Sequence, residues 1–232
     1  MKKRIIYSLL TVFVAFSVFS QENKNSTVVE IMDPSHSGKI FRNSRNSGEK
    51  ILGTPYFQLM FASAKVENVP QKYFMRYNVF DDQFEFITPK NDTLILDKID
   101  AFNNIAFTGT NKKYTLLNYT NSVEKLVKGY LIEVHSKTGY ILYKKENVTF
   151  YKGKVAQTSL EKSMPPRYVK ADDSYYFKNK EAGIIEFPEN KKQLIKLFPD
   201  KKQEIEAYVK ENKIDFDEEN NKKRIIDFLS TL

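Results

Sequence analysis

Glu133 and His135 stand two residues apart in a segment that reads as a β-strand. That spacing sends both side chains from one face, where a carboxylate and an imidazole could share a metal or a proton. Strand alternation alone also generates such a pair, and a solvated cross-strand contact beside a turn explains it without chemistry. The other histidine, His36, lies in Asp33-Pro34-Ser35-His36-Ser37-Gly38, where the neighbouring serines invite a nucleophile–base reading. A catalytic constellation needs a rigid scaffold, and this stretch is polar and poor in apolar anchors. The acidic pairs Asp81-Asp82 and Asp172-Asp173 could serve acid–base work, but both fall at predicted turns, where side chains point to water. Asp215-Phe216-Asp217-Glu218-Glu219 opens like a calcium loop, then places Asn220 where Gly is required and Ile226 where a bidentate Glu is required. It reads instead as acid at a helix N-terminus.

Composition narrows the chemistry further. The 232 residues hold no Cys and two His, which excludes disulfides, thiol nucleophiles, Cys-ligated metals and a multi-histidine metal centre within one chain. None of the patterns G-x-S-x-G, G-x-G-x-x-G or G-x-x-x-x-G-K-[ST] occurs. The expectation is a protein with no catalytic residues, no cofactor and no metal. The residues that stand out belong to recognition. Arg76 shares a strand face with Phe74, Asn78 and Phe80, opposite Tyr73, Met75, Tyr77 and Val79. A cation among rings can hold an anion or stack on an aromatic face, or lay its stem on the sheet with its head in water. With Gly53-Thr54-Pro55-Tyr56-Phe57 opening the same region, the candidate partner-binding residues are Tyr56, Phe57, Arg76, Tyr77 and Asn78.

The elements that must position them follow from periodicity. Residues 51–187 alternate at period two in runs rich in Tyr, Phe, Val and Ile, separated by turn residues such as Asp81-Asp82, Asn91-Asp92 and Ser136-Lys137-Thr138-Gly139. Short polar connections leave no room for crossover helices, so the pairing is antiparallel. The last 45 residues change to a helical period. Leu194, Leu197 and Phe198 share one face before Pro199; Ile205, Tyr208 and Val209 share a second, stopped at Asn212; Ile225, Phe228, Leu229 and Leu232 share a third. The expected fold class is α+β: a predominantly antiparallel β-meander, as a curved sheet or half-barrel, in residues 51–187. About three helices in residues 188–232 then pack on it.

Residues 1–20 read as a cleavable export signal. Lys2, Lys3 and Arg4 precede an uncharged apolar run at 5–19, and cleavage before Gln21 would follow Val18-Phe19-Ser20. The run is shorter than the roughly 20 residues a spanning helix needs, so no transmembrane anchor is expected. Without Cys, lipidation after cleavage is excluded. Residues 21–50 are polar and read as a mobile arm. Of the +8 net charge, 37 basic against 29 acidic residues, the signal removes three basic residues and no acid, leaving 34 against 29, or +5. Lys and Glu mix along the C-terminal helices instead of forming a basic stripe, so nucleic acid is not the expected partner.

Taken together, Ser20-Gln21, Gly53-Thr54-Pro55-Tyr56, Arg76-Tyr77-Asn78 before an acidic turn, Gly129-Tyr130-Leu131 and 208–213 (YVKENK) give the chain a resemblance over most of its length. It resembles a group of exported proteins typical of Bacteroidota to which no activity is assigned. The resemblance implies a compartment, periplasm or cell exterior, and no mechanism. The sequence therefore supports an exported, non-catalytic β-rich binding module of the cell envelope, with an envelope protein, a glycan or an anionic lipid surface as partner. Two alternatives stand beside it. One is a carrier of a lipid or other hydrophobic ligand, in a concavity lined by Phe74, Phe80, Phe84 or Phe86 beneath the helices. The other is a carboxylate-dependent hydrolase.

Overall fold

Period-two alternation in the predicted strands turns one row of apolar side chains toward a common interior, and the arrangement of the strands follows from where that row can be buried. A computed structural model of the protein describes residues 39–40, 50–110, 112–158, 160–179 and 183–232. The export signal expected at 1–20, His36 and the expected polar arm, apart from residues 39, 40 and 50, lie outside the described residues. Eleven strands form one antiparallel sheet: β1 (Lys39–Ile40), β2 (Ala62–Val66), β3 (Lys72–Asn78), β4 (Gln83–Ile87), β5 (Thr93–Ile95), β6 (Asn104–Phe107), β7 (Lys113–Thr120), β8 (Leu126–Lys137), β9 (Tyr140–Tyr151), β10 (Arg167–Asn179) and β11 (Gly183–Glu186). Their spatial order is β1-β5-β4-β3-β2-β6-β7-β8-β9-β10-β11, and the sheet is not closed. Three helices follow, α1 (Lys191–Leu197), α2 (Lys202–Glu211) and α3 (Glu219–Leu229). The α+β class with a terminal helical segment is as the sequence implies.

From β2 onward the meander is broken once. β6 pairs with β2 and not with β5, so the chain returns across the sheet through a 3₁₀ turn at Asp100–Phe102 whose Phe102 is fully buried. Alternation does not single out β2, because two of its five residues are alanines with little side chain to pattern. Two residues of the polar arm, Lys39 and Ile40, pair with Ile95 and Leu94 and extend the edge. Asp172-Asp173 does not end a strand as predicted. β10 runs through it with a bulge between Ala171 and Ser174, and Asn147 Nδ2 donates to the Asp172 carbonyl and to Ser174 Oγ, 2.8 Å each. The β8–β9 loop is a two-residue turn, with Thr138 at φ 36° and Gly139 at φ 86° between the paired Lys137 and Tyr140. That is the turn geometry whose twist matches a hairpin.

One face of the sheet carries two apolar cores. The first gathers Tyr77, Phe84, Tyr114 and Tyr130, ring centroids 4.8–6.2 Å apart, with Met75, Phe86, Ile105 and others around them. The second joins Leu142, Phe177 and Phe187 to Leu194, Ile205, Ile225, Ile226 and Leu229 of the helices. The helices therefore dock on the sheet at its C-terminal end. Phe84 and Phe86 are fully buried, whereas Phe74 is 60% exposed and Phe80 packs edge-on against Phe150 and Tyr168. These four phenylalanines do not line a concavity under the helices, because the helices cover the second core while Phe84 and Phe86 are buried in the first. A third cluster on the opposite face sets Tyr119 against Tyr176 at 4.7 Å and includes Leu131 and Tyr143.

A strap ties the two halves of the sheet. Leu52 exchanges backbone hydrogen bonds with β10 and its lead-in (to the Pro166 carbonyl and from Tyr168 N, both 2.9 Å). A few residues on, Phe57 N donates to the Tyr77 carbonyl and Val79 N to the Pro55 carbonyl. Gly53 makes the crossing at φ 72°, where a Cβ would meet the Tyr168 carbonyl oxygen at 2.2 Å, a place only Gly can occupy.

The helix boundaries match the sequence pattern, with local corrections. Asn190 caps α1 by accepting from Gln193 N. Asp200 lies in a 3₁₀ turn and no side-chain cap bond opens α2. The left-handed residue after α2 is Lys213, φ 49°, one beyond the predicted Asn212. The Tyr130 hydroxyl, buried in the first core, meets no hydrogen-bond partner among the described residues, while the Tyr114 hydroxyl donates 2.8 Å to Glu146. Tyr130→Phe is therefore expected to leave stability unchanged or raise it, and Tyr114→Phe to cost about 1.5–3 kcal/mol. Urea denaturation of the two variants checks this, and equal destabilisation would refute it.

Candidate functional site

β9 is long enough to serve both cores, and its alternate residues show where they part. Tyr140 and Leu142 face the second core and Val148 the first, while Phe150 meets Phe80. Between them, on the same face, stand Lys144 and Glu146. The bulge at Asp172-Asp173 resets β10 so that Lys170 lies opposite Val148, Tyr175 opposite Lys144 and Phe177 opposite Leu142. A polar seam thus crosses the sheet between two apolar blocks. Over it opens a cleft of about 260 Å³ lined by Phe57, Val79, Val148, Lys112, Lys170 and Asp173, with Lys144, Glu146, Asn147 and Ala171 completing its wall.

The seam is an electrostatic chain. Glu146, 7% exposed, accepts from Lys112 Nζ at 2.5 Å and from the Tyr114 hydroxyl. Burial first, and the Glu146 charge second, push the Tyr114 phenol far up, so it remains a donor. Lys112 also sits 3.2 Å above the Phe57 ring, and Lys170 lies 5.2 Å from the same ring. Lys144 bonds Glu219 of α3 at 3.0 Å and stands 3.6 Å from Asp173. Burial alone would lower its ammonium, but the Glu219 bond and the surrounding carboxylates raise it. At Glu219 burial likewise opposes the charge, but hydrogen bonds from Lys223, Lys144 and Tyr175 outweigh it and hold the carboxyl at about 2. Among the described residues Lys170 has no carboxylate within ion-pair distance.

The five predicted binding residues are adjacent in space but do different things. The strap brings Tyr56 beside Asn78, and Arg76 lies directly across the β3–β4 pair from Glu85. The Arg76 guanidinium is 2.6 Å from Glu85, which is 1% exposed, donates 2.9 Å to the Tyr56 hydroxyl, and is sandwiched between the rings of Tyr56 and Phe61 at 3.9 and 4.4 Å. Tyr56 in turn donates 3.0 Å to Glu85, and burial followed by the Glu85 charge push its phenol up to about 12. Arg76 is thus neither free for an anion nor headed into water. Tyr77 points into the first core and donates to Asp82 at 2.5 Å. Asn78 closes the hairpin turn with Asp81. Phe57 alone of the five reaches the cleft.

Asp82 departs most from expectation. At φ 54° it turns inward, accepts from Tyr77 and from Tyr130 N, and pairs with Lys98 at 2.7 Å and Lys145 at 3.3 Å. It approaches β8 so closely that a Cβ on Gly129 would sit 2.5 Å from its carboxylate. The hairpin tip reaches there because the sheet curls over its own first core.

Glu133 and His135 are separated by a register shift in β8, which leaves Glu133 exposed while His135 Nε2 meets Asp227 of α3 at 2.8 Å. No group of three or more metal-ligating side chains occurs among the described residues. A second cleft of about 700 Å³ lies at the foot of the helices, lined by Asp172, Asp173, Glu186, Glu189, Asp217 and Lys222 among others. Burial first and Glu189 second raise the Glu186 carboxyl, while burial lowers the ammonium of Lys222, which donates to the Phe216 carbonyl.

Sequence reasoning passed over Lys112, Lys144, Glu146 and Lys170, and read Glu219 only as acid at a helix N-terminus. A signal for two of them was present: Lys144 and Glu146 interrupt the otherwise apolar row Tyr140, Leu142, Val148, Phe150. Because the Glu219 carboxyl is depressed, its contribution is complete above its ordinary value of 4.5 and is lost as pH falls toward 2. Glu219 is 30% exposed, and with that discount the acid limb is worth about 1–2 kcal/mol. Urea midpoints measured across this range should fall with pH in the parent chain and flatten in Glu219→Gln.

Comparison of the chain with protein-family models, curated proteins and solved structures gives no match in any of the three.

Proposed function

We propose that the protein is an exported, non-catalytic binding module of the bacterial cell envelope, and that the cleft beside Phe57 receives an acidic group carried on an apolar or ring-shaped body. The observation that carries this is the state of the charges. Glu85, Glu146 and Glu219 are each held by a cation and a phenol. Lys170 lines the cleft next to an aromatic ring with no carboxylate beside it among the described residues. Preorganised, mutually neutralised groups suit recognition, and a spare cation at an apolar wall suits an anion. The charged and apolar halves of residues 1–20 support export.

A photoreactive phenylalanine analogue at position 57 tests the reading in cells. It should crosslink an envelope component from a chain processed before Gln21, the same analogue at Glu206 on α2 should not, and Lys170→Glu should reduce the yield severalfold. Equal yields from the two positions, or indifference to Lys170→Glu, would sink it.

The carboxylate-hydrolase alternative is favoured by one observation: Glu186 has its carboxyl raised in a cleft that Asp173 and Asp217 also line. A raised carboxyl that shares a cleft with further carboxylates is a starting point for acid–base work. Assays on chromogenic esters and glycosides separate the readings. Turnover that falls about a hundredfold in Glu186→Gln would assign catalysis to this cleft, and turnover unaffected by the change would remove it.

A further inference from the structure

Two antiparallel strands can be joined by two residues, yet β9 and β10 are joined by residues 152–166. Loops of that length without regular structure are uncommon in compact domains and are mostly functional or disordered. This one is held by its own bonds. Lys154 and Met164 exchange backbone hydrogen bonds of 2.8 and 2.7 Å, Ala156 N donates to Ser163 Oγ at 3.0 Å, and Lys154 pairs with Glu161 at 3.2 Å. Gly153 lies so near Pro166 that a Cβ would come within 2.9 Å of its ring.

Although built, the loop keeps its apolar side chains out of the body. Val155 is 75% exposed, Leu160 95% and Met164 45%. Lys152, Lys154, Lys162 and Arg167 flank them along the chain, against Glu161 as the one acid between 152 and 167. Isolated apolar tips interspersed with lysines are a poor match for a protein interface, whose centre is depleted in Lys. They match a lipid surface, where each apolar tip inserts on its own and Lys stems reach back to the headgroups.

We propose that the β9–β10 loop is a membrane-surface anchor, seating Val155, Leu160 and Met164 among the acyl chains of an anionic bilayer while Lys152 and Lys162 meet headgroup phosphates. The inference rests on the envelope reading and names a second contact of the module, separate from the Phe57 cleft. A single loop of this kind gives reversible attachment, not an embedded anchor.

Co-sedimentation of the exported chain with vesicles tests it. Phosphatidylcholine vesicles containing phosphatidylglycerol should pellet the protein in a salt-sensitive manner, and pure phosphatidylcholine vesicles far less. Leu160→Asp should reduce partition about tenfold, the loss expected when one buried leucine is withdrawn. Lys152→Glu with Lys162→Glu should abolish the preference for anionic vesicles. Thermal unfolding should be unchanged in both variants, since the altered side chains are exposed. Failure to pellet with anionic vesicles, or pelleting indifferent to Leu160→Asp, overturns the proposal. The Leu160→Asp chain should still crosslink through position 57, so loss of the anchor and loss of the cleft reading are told apart.

Discussion

Two apolar cores share one face of a single sheet, and the long strand β9 serves both while β10 must stay paired along it. A strand alternates strictly at period two, so a run of this length cannot change partners without either a break or a device that resets its phase. β10 uses a bulge at Asp172-Asp173, which brings Tyr175 and Phe177 onto the face already occupied by Tyr168 and Lys170. β9 uses no bulge there; it places Lys144 and Glu146 in the gap between cores. Helix docking, the seam and the cleft above it all follow from that division of one surface.

Charges in such a gap are stable only in company. Glu85 and Glu146 are almost wholly removed from water, and a lone buried carboxylate costs far more than one matched by a cation and a hydroxyl. Each has both: Arg76 with Tyr56, and Lys112 with Tyr114. The abundance of Tyr in this chain thus has two structural causes. The rings fill the interior, and the hydroxyls donate to carboxylates that the sheet's curvature encloses. Where no carboxylate is within reach, as at Tyr130, the hydroxyl is left over. The buried charge is thus committed to the fold, and in the proposed binding role recognition would fall to groups at the rim, Phe57 and Lys170.

Much of the fold was legible because it is local. Turn residues such as Asn91-Asp92 and Thr138-Gly139 mark chain reversals through their backbone preferences, and the aromatic alternation in β3, β4, β7 and β9 reports burial directly. The Arg76–Glu85 pair was within reach as well: once the hairpin turn is placed at Asp81-Asp82, the register sets the two residues opposite each other. β2 was not legible, since Ala62 and Ala64 carry little pattern, and without it the return of the chain to β6 could not be anticipated. Asp172-Asp173 carries the composition of a turn, but a bulge offers those residues the same local freedom without ending the strand.

By itself the sequence determined the α+β class, the antiparallel pairing, the three terminal helices and the exclusion of thiol and multi-histidine chemistry, because each depends on residue type or on spacing along the chain. Tertiary structure alone decided which carboxylates meet which cations. Asp82 reaches β8 and β9 because the sheet curls, Glu146 meets Lys112 across 34 residues, and Glu219 is carried to Lys144 by a docked helix. Such pairings rest on distances of a few ångströms between segments remote in sequence, and Coulombic and hydrogen-bond energies depend on those distances, not on the order of residues.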